Sequence, residues 1–216
     1  MVAEIQQFIP GPAGPIEARI GNTIVEALQA PQAIAVIFHP HPLFQGTLDN
    51  KVVFTLTRAA GNLGAHTVRF NFRGVGASAG RYDEGVGELD DALAVIAWAR
   101  SNWGKDLPLW LLGFSFGAGI AIRAARPSSA RILVSIAPPV EHLALKDEER
   151  PVCPWLVIQG GKDEVVSPES VQRWCRNLKH PPELKLYPEV THFFHGHLVP
   201  LRATVTDFLS AHQGSF

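Results

Sequence analysis

Leu109-Trp110-Leu111-Leu112-Gly113-Phe114-Ser115-Phe116-Gly117-Ala118 decides how this chain is read. Leu109 to Leu112 is a strand-length apolar run, and the small-residue stretch from Ser115 to about Arg126 reads as a helix. Gly113-Phe114-Ser115-Phe116-Gly117 stands where one gives way to the other, so G-x-S-x-G falls on a strand-to-helix turn. A serine on so sharp a bend takes strained dihedrals and projects its hydroxyl off the sheet edge. Side chains at the two flanking positions would clash, so both are glycine. The helix amino end behind the serine favours developing negative charge. The plainer reading is a tight turn with a capping serine.

Outward from this stretch, strand and helix signals alternate. Ala33 to Phe38 is a continuous apolar run, the mark of a strand covered on both faces. Ala65 to Phe72 is another, broken by Arg73-Gly74-Val75-Gly76. Between them, Thr47 is placed to cap a helix running through roughly Asn62, with Asp49 in its first turn. A helix over about Glu84 to Ser101 repeats Leu89, Ala92, Leu93, Ile96 and Ala97 at helical spacing, with Asp83 as cap and Gly104 as stop. Arg131 to Ile136, Trp155 to Gln159 and Glu183 to Tyr187 read as further strands. Ser167-Pro168-Glu169 opens a helix, and Leu201, Val205, Phe208 and Leu209 mark a final amphipathic one. At the amino end, Glu4 to Ile9 and Pro15 to Ile20 flank Pro10-Gly11-Pro12-Ala13-Gly14 as a hairpin. The expectation is an α/β chain with a mostly parallel, doubly wound sheet of about eight strands, the first two forming an antiparallel hairpin edge, and helices on both faces. Reactive groups then belong in loops at the carboxyl ends of strands.

Length and composition agree with a globular chain. Its 216 residues are 46% hydrophobic and 18% charged, enough to bury a sizeable core. Lys+Arg of 19 against Asp+Glu of 20 gives a net charge of -1, and no basic run offers a nucleic-acid footprint. Two cysteines exclude a disulfide scaffold and a cysteine-rich zinc module. The apolar runs are strand-sized, short of a membrane helix, and Met1 to Pro10 lacks the basic start and apolar block of a signal peptide. A soluble cytoplasmic protein is expected, with neither nucleic acid nor membrane as partner.

A serine hydroxyl needs a base within reach and a third group to orient that base. The partners are expected downstream in the order serine, acid, histidine. Gly160-Gly161-Lys162-Asp163-Glu164 follows the strand that starts at Trp155, which places Asp163 in a loop at the correct strand end. Glu164 is expected to face the other way. Pro188-Glu189-Val190-Thr191-His192-Phe193-Phe194-His195-Gly196-His197 follows the last strand. His192, nearest the strand end, is the expected general base and His195 the runner-up. The cluster has no acidic or cysteine ligands at zinc-like spacing, so no metal is expected. His197 is read as a histidine packed on an apolar face.

Acyl transfer also needs donors for an oxyanion. One is the backbone N–H of Phe116. The other should come from the loop after Phe38, where Pro40 and Pro42 have no N–H. His41 is the choice and Leu43 the second choice, followed by Phe44 or Gln45. The imidazoles of His39 and His41 read as groups that brace the loop through backbone. Other signals carry less. Gly74-Val75-Gly76 hints at a dinucleotide loop, yet the sixth position is Ala79 and no helix follows at once, so no cofactor is expected. Arg73 reads as a loop brace, and Cys153 and Cys175 as packing residues. Trp98, Trp103, Trp110, Trp155 and Trp174 read as core.

Together these residues resemble the α/β-hydrolase superfamily along essentially the whole chain, as one domain over residues 1–216. The resemblance rests on Gly113-Phe114-Ser115-Phe116-Gly117, on Arg73-Gly74-Val75-Gly76-Ala77-Ser78, and on Gly160-Gly161-Lys162-Asp163 followed by His192-Phe193-Phe194. More narrowly, His39-Pro40-His41-Pro42-Leu43-Phe44-Gln45-Gly46-Thr47-Leu48-Asp49-Asn50-Lys51-Val52-Val53 is similar to the opening loop of small bacterial serine hydrolases that lack a lid and have mostly unassigned substrates. That group usually shows Gly where Gln45 stands. The resemblance implies a triad of Ser115, His192 and Asp163. Ala137 to Pro151, where such folds insert a lid, is short. The expected function is hydrolysis of small or short-chain carboxylic esters, with thioesters as an extension, through an acyl-enzyme. A small-peptide hydrolase using the same groups and a non-catalytic scaffold on the same fold are the alternatives.

Overall fold

The computed structural model describes residues 4–21, 31–143, 145 and 149–214. The hairpin forms β1 (Glu4–Gly11) and β2 (Gly14–Gly21), turning at Pro12 and Ala13. The chain continues through β3 (Ala33–Phe38), α1 (Lys51–Asn62), β4 (Ala65–Phe70), α2 (Val86–Trp103), β5 (Leu109–Phe114) and α3 (Phe116–Ala125). It ends with β6 (Ile132–Ile136), β7 (Trp155–Gly160), α4 (Pro168–Asn177), β8 (Glu183–Tyr187) and α5 (Leu198–His212). The strands join one 8-stranded sheet in the order β1-β2-β4-β3-β5-β6-β7-β8. β1 pairs antiparallel with β2, β2 pairs antiparallel with β4, and the remaining pairs are parallel. This is the expected architecture of a lid-less α/β hydrolase.

Alternate residues of the continuous apolar strands go to opposite faces. Ile34, Val36 and Phe38 of β3 join Leu109 and Leu111 of β5 under α2, α3 and α4. Ala33, Ala35 and Ile37 join Trp110, Leu112 and Phe114 under α1 and α5. Every residue of β3, β5, β6 and β7 is buried, which is why these segments show no polar alternation. The five tryptophans divide accordingly. Trp110 and Trp155 are buried, and Trp98, Trp103 and Trp174 pack partly buried against the core.

Three helix starts differ from the sequence reading. Asn50, not Thr47, caps α1, its side chain accepting from Val52 N–H at 2.8 Å. Thr47 instead closes a local turn onto Asp49 N–H, and Asp49 lies before the helix, paired with Arg69 at 2.8 Å. α2 begins at Val86 behind Gly85 rather than at Glu84. Glu88 turns back to accept from Asp83 N–H and Gly85 N–H, while the Asp83 carboxylate takes Gly87 N–H. β5 runs two residues further than read, to Phe114, and Ser115 stands just before α3. The segment between β6 and β7 falls partly outside the described residues, at 144 and 146–148.

Candidate active site

β5 enters the bend fully buried and leaves it as α3, with Ser115 at φ 54 and ψ -123. This conformation is unfavourable for a residue with a Cβ and is held by the surroundings. Ser115 N–H donates to Ile136 O at 2.8 Å, and Ser115 O accepts from Ala118 N–H at 2.8 Å. The glycine requirement is steric. A Cβ on Gly113 would lie 2.4 Å from Gly117 O. A Cβ on Gly117 would lie 2.4 Å from His39 O and 2.5 Å from Phe38 O. The bend is therefore clamped between β3 and the first turn of α3.

The loop after β8 brings His192 to this serine. His192 is 2% exposed, and its Nε2 lies 3.1 Å from Ser115 Oγ. Its Nδ1 lies 2.9 Å from Asp163 Oδ2 and 3.1 Å from Oδ1. Facing a carboxylate, Nδ1 carries the proton, which leaves Nε2 free to accept from the hydroxyl. Asp163 is saturated with donors. Oδ1 accepts from Val165 N–H at 2.9 Å and Val166 N–H at 2.8 Å, and Oδ2 accepts from Gln159 Nε2 at 2.9 Å. Burial pushes its pKa up. The His192 contact and the two backbone N–H groups outweigh burial and hold the carboxyl below its usual range. Asp163 stays ionised against the imidazole.

Gln159 is a member of this constellation that the sequence reading missed, because it sits inside a strand that otherwise reads as core. Its side chain is fully buried, and Nε2 faces three acceptors: Asp163 Oδ2, Gly160 O at 3.2 Å and Val166 O at 3.3 Å. The amide cannot turn over without setting oxygen against carboxylate. Its Oε1 is left without a partner among the described residues, a cost of about 1–3 kcal/mol for a buried acceptor. Glu164 was also misread. Far from facing away, its carboxylate accepts His192 N–H at 3.3 Å.

The acid and base loops are stitched together. Gly161 N–H donates to Tyr187 O at 2.8 Å and Lys162 N–H to Val190 O at 3.0 Å. Lys162 pairs with Glu189. A Cβ on Gly160 would lie 2.3 Å from Val190 O, and one on Gly161 2.5 Å from Pro188 O. The two glycines let the backbones touch.

On the other side of Ser115, the loop after β3 is braced by its histidines, as read. His39 is fully buried, with Nδ1 2.6 Å from Pro40 O and Nε2 accepting Phe72 N–H at 3.0 Å. Burial, partly offset by the Pro40 carbonyl, lowers its pKa to about 4. His41 Nδ1 accepts Leu43 N–H at 3.2 Å, so the ring hydrogen is on Nε2, which donates to Tyr82 Oη at 3.2 Å. Phe44 N–H and Gly46 N–H both donate to His41 O at 3.1 Å. The N–H groups of His41 and Phe116, by contrast, donate to nothing among the described residues. Gln45 takes φ 60, in the left-handed region that glycine adopts without strain.

Other candidates fall elsewhere. His195 is exposed. His197 stands before α5 with its ring on His195 O at 3.0 Å rather than on an apolar face. Arg73 bonds Asp91 of α2 at 2.8 and 3.0 Å, bracing its loop as expected. Burial pushes the thiols of Cys153 and Cys175 up to about 11, in keeping with packing residues. Among the described residues no group of three or more His, Cys, Asp or Glu could hold a metal ion. No described helix is long and apolar enough to cross a membrane.

Comparison with known proteins places this arrangement. Residues 29–149 match the family model of the X-Pro dipeptidyl-peptidase (S15 family). Over 98% of its length the chain is 33% identical to uncharacterized protein RP471 of Rickettsia prowazekii, covering 91% of that protein. The fold matches XC6422 of Xanthomonas campestris, an α/β serine hydrolase without lid, at a TM-score of 0.90 and 38% identity, covering 98% of this chain and 95% of that one. It matches an α/β serine hydrolase homologue from Coxiella burnetii at a TM-score of 0.87 and 42% identity, covering 95% and 97%. Aligned nearly end to end with proteins built this way, the chain belongs to the α/β serine hydrolases without a lid and carries the domain of the S15 family.

Proposed function

We propose that this protein is a serine hydrolase that cleaves small or short-chain carboxylic esters, and thioesters by the same chemistry. The observation that carries this reading is the unbroken chain Ser115 Oγ, His192 Nε2, His192 Nδ1, Asp163 at 3.1 and 2.9 Å. His192 takes the Ser115 proton as the hydroxyl attacks the acyl carbonyl. Asp163 holds the imidazole in the required tautomer and stabilises the imidazolium that forms. The tetrahedral oxygen is received by the N–H groups of Phe116 and His41. Neither has a partner among the described residues, whereas Leu43, the second choice, spends its N–H on the His41 ring. Protonated His192 then hands its proton to the leaving oxygen, and water cleaves the acyl-enzyme with the same groups. These steps need neither metal nor organic cofactor.

The match to the S15 model favours a second reading, hydrolysis of small peptides. That chemistry needs a group for the substrate's free ammonium. Two buried carboxylates are already committed, Glu88 to backbone N–H groups and Asp91 to Arg73, so the ester reading is preferred. A fluorophosphonate probe tests the shared part. Wild type should be labelled and Ser115→Ala should not, and a folded, unlabelled wild type refutes the proposal. Turnover of 4-nitrophenyl butyrate but not of Ala-Pro-4-nitroanilide selects the ester. A preference for long acyl chains over short ones would contradict the small-substrate reading.

A further inference from the structure

The sheet order places β3 and β4 on one side of β5 and β6, β7 and β8 on the other. Ser115 leaves the end of β5. The base that must protonate the leaving group arrives from the β8 side, so the leaving group departs on that side. The acyl part of the substrate is left facing the loops after β3 and β4. Those loops present three aromatic rings, His41, Phe44 and Tyr82, and these meet a fourth, Phe116 at the start of α3. The His41 ring centroid lies 4.8 Å from Phe44, 5.0 Å from Tyr82 and 5.0 Å from Phe116, and Tyr82 lies 6.0 Å from Phe116. Phe116 is the residue immediately after Ser115.

Two features separate this group from ordinary core. First, it is not covered. Phe44 is 78% exposed and its neighbour Leu43 is 65% exposed, and His41, Tyr82 and Phe116 are half-buried. Adjacent apolar side chains held in water beside a reactive group mark a ligand surface. Second, its inner rings are held in place. Leu43 N–H and Tyr82 Oη hold the His41 ring from both nitrogens, and Phe72, fully buried, backs Phe116 edge-on at 5.6 Å. A preformed aromatic surface favours a flat ring, which stacks on it with little ordering cost, over a flexible alkyl chain, which must be ordered.

We infer that the His41–Phe44–Tyr82–Phe116 ring cluster is the acyl-binding shelf, and that it selects esters whose acyl group ends in an aromatic ring. The inference rests on the serine-hydrolase reading and names its substrate class. With a fixed 4-nitrophenyl leaving group, wild type should use 3-phenylpropanoate at least tenfold better than butyrate or hexanoate in kcat/KM. Phe44→Ala should lower the phenylpropanoate value about tenfold and leave acetate within about twofold, because acetate is too short to reach the shelf. Phe44 is so exposed that its truncation cannot unfold the chain. A matched series with the ring on the alcohol, benzyl acetate against ethyl acetate, should show no such preference.

Equal use of phenylpropanoate and hexanoate overturns the shelf, as does loss of phenylpropanoate and acetate together in Phe44→Ala. An aryl preference seen only on the alcohol overturns its assignment to the acyl side. If wild type takes up fluorophosphonate and turns over acetate without any aryl preference, only this inference falls. If it does neither, the hydrolase reading falls with it.

Discussion

The two flanks of Ser115 are built on opposite principles. On the β7–β8 flank, directed hydrogen bonds hold the polar atoms, with Phe114 and Phe193 packed on the His192 ring at 5.0 and 5.1 Å. Asp163 alone accepts from Val165, Val166, Gln159 and His192. On the β3–β4 flank, rings pack on rings, two imidazoles bond their own loop, and the N–H groups of His41 and Phe116 have no partner among the described residues. In the proposed reaction the first flank moves protons and must fix polar atoms to fractions of an ångström. The second receives an oxyanion and an apolar group in that reaction, so it needs vacant donors and an apolar surface. Saturation on one side and vacancy on the other fit that proposed division of labour.

The sharpest way to break this contrast is Asp163→Asn. It removes the charge and offers the imidazole a donor, so turnover of 4-nitrophenyl acetate should fall by about 10⁴-fold while KM changes little. A loss under tenfold would mean that the hydrogen-bonded flank is scaffolding. Next in size is a pH effect on the other flank. His39, lowered to about 4 by burial, stays neutral where an unfolded histidine would be charged. The unfolded chain therefore binds more protons between about pH 6.5 and 4. Stability is complete above that window and is lost as pH falls through it, by about 3 kcal/mol. Asp163, depressed rather than raised, contributes a further loss only as pH falls below the ordinary carboxylate range. Urea unfolding at pH 7, 5.5 and 4.5 measures this, and His39→Asn should flatten the slope. Parallel slopes would remove His39 as the cause.

Gln159→Met should lower kcat by about tenfold, or about 1.4 kcal/mol, and raise the acid limb of the pH–rate profile as Asp163 loses a donor. Folding stability should stay within about 1 kcal/mol, because the orphaned Oε1 disappears along with the bonds. An unchanged profile would make Gln159 a packing residue. Smallest of all, Gln45→Gly should stabilise by about 0.5 kcal/mol by relieving the left-handed backbone. A destabilised variant would show that the glutamine side chain supports its loop.

Most of the hydrogen-bonded flank was legible in the sequence because order along the chain and position after a strand constrain it. Ser115 and Asp163 follow the ends of the buried strands β5 and β7, His192 follows the edge strand β8, and a parallel sheet brings such ends together. What escaped were residues whose roles are set by tertiary contact. Gln159 lies within a strand where an amide looks like an ordinary variation. Glu164 looked redundant beside Asp163 because only the folded loop shows the His192 N–H it reaches. The start of α1 was misplaced for the same reason. Thr47, Asp49 and Asn50 are all good capping residues. The choice is made by Asn71 Oδ1 accepting Leu48 N–H at 2.8 Å and Arg69 donating to Leu48 O at 2.7 Å. That Leu43 N–H is spent on the His41 ring likewise depends on one ring nitrogen that composition cannot orient.

The backbone contact at Gly160 and Gly161 has an evolutionary corollary. With carbonyls of the following loop sitting where any Cβ would go, the carboxylate segment and the imidazole segment behave as a single cassette. Neither can be lengthened, replaced or transplanted into a relative alone. Diversification of this scaffold is thereby channelled to the opposite rim, where side chains can be exchanged without disturbing the proton path.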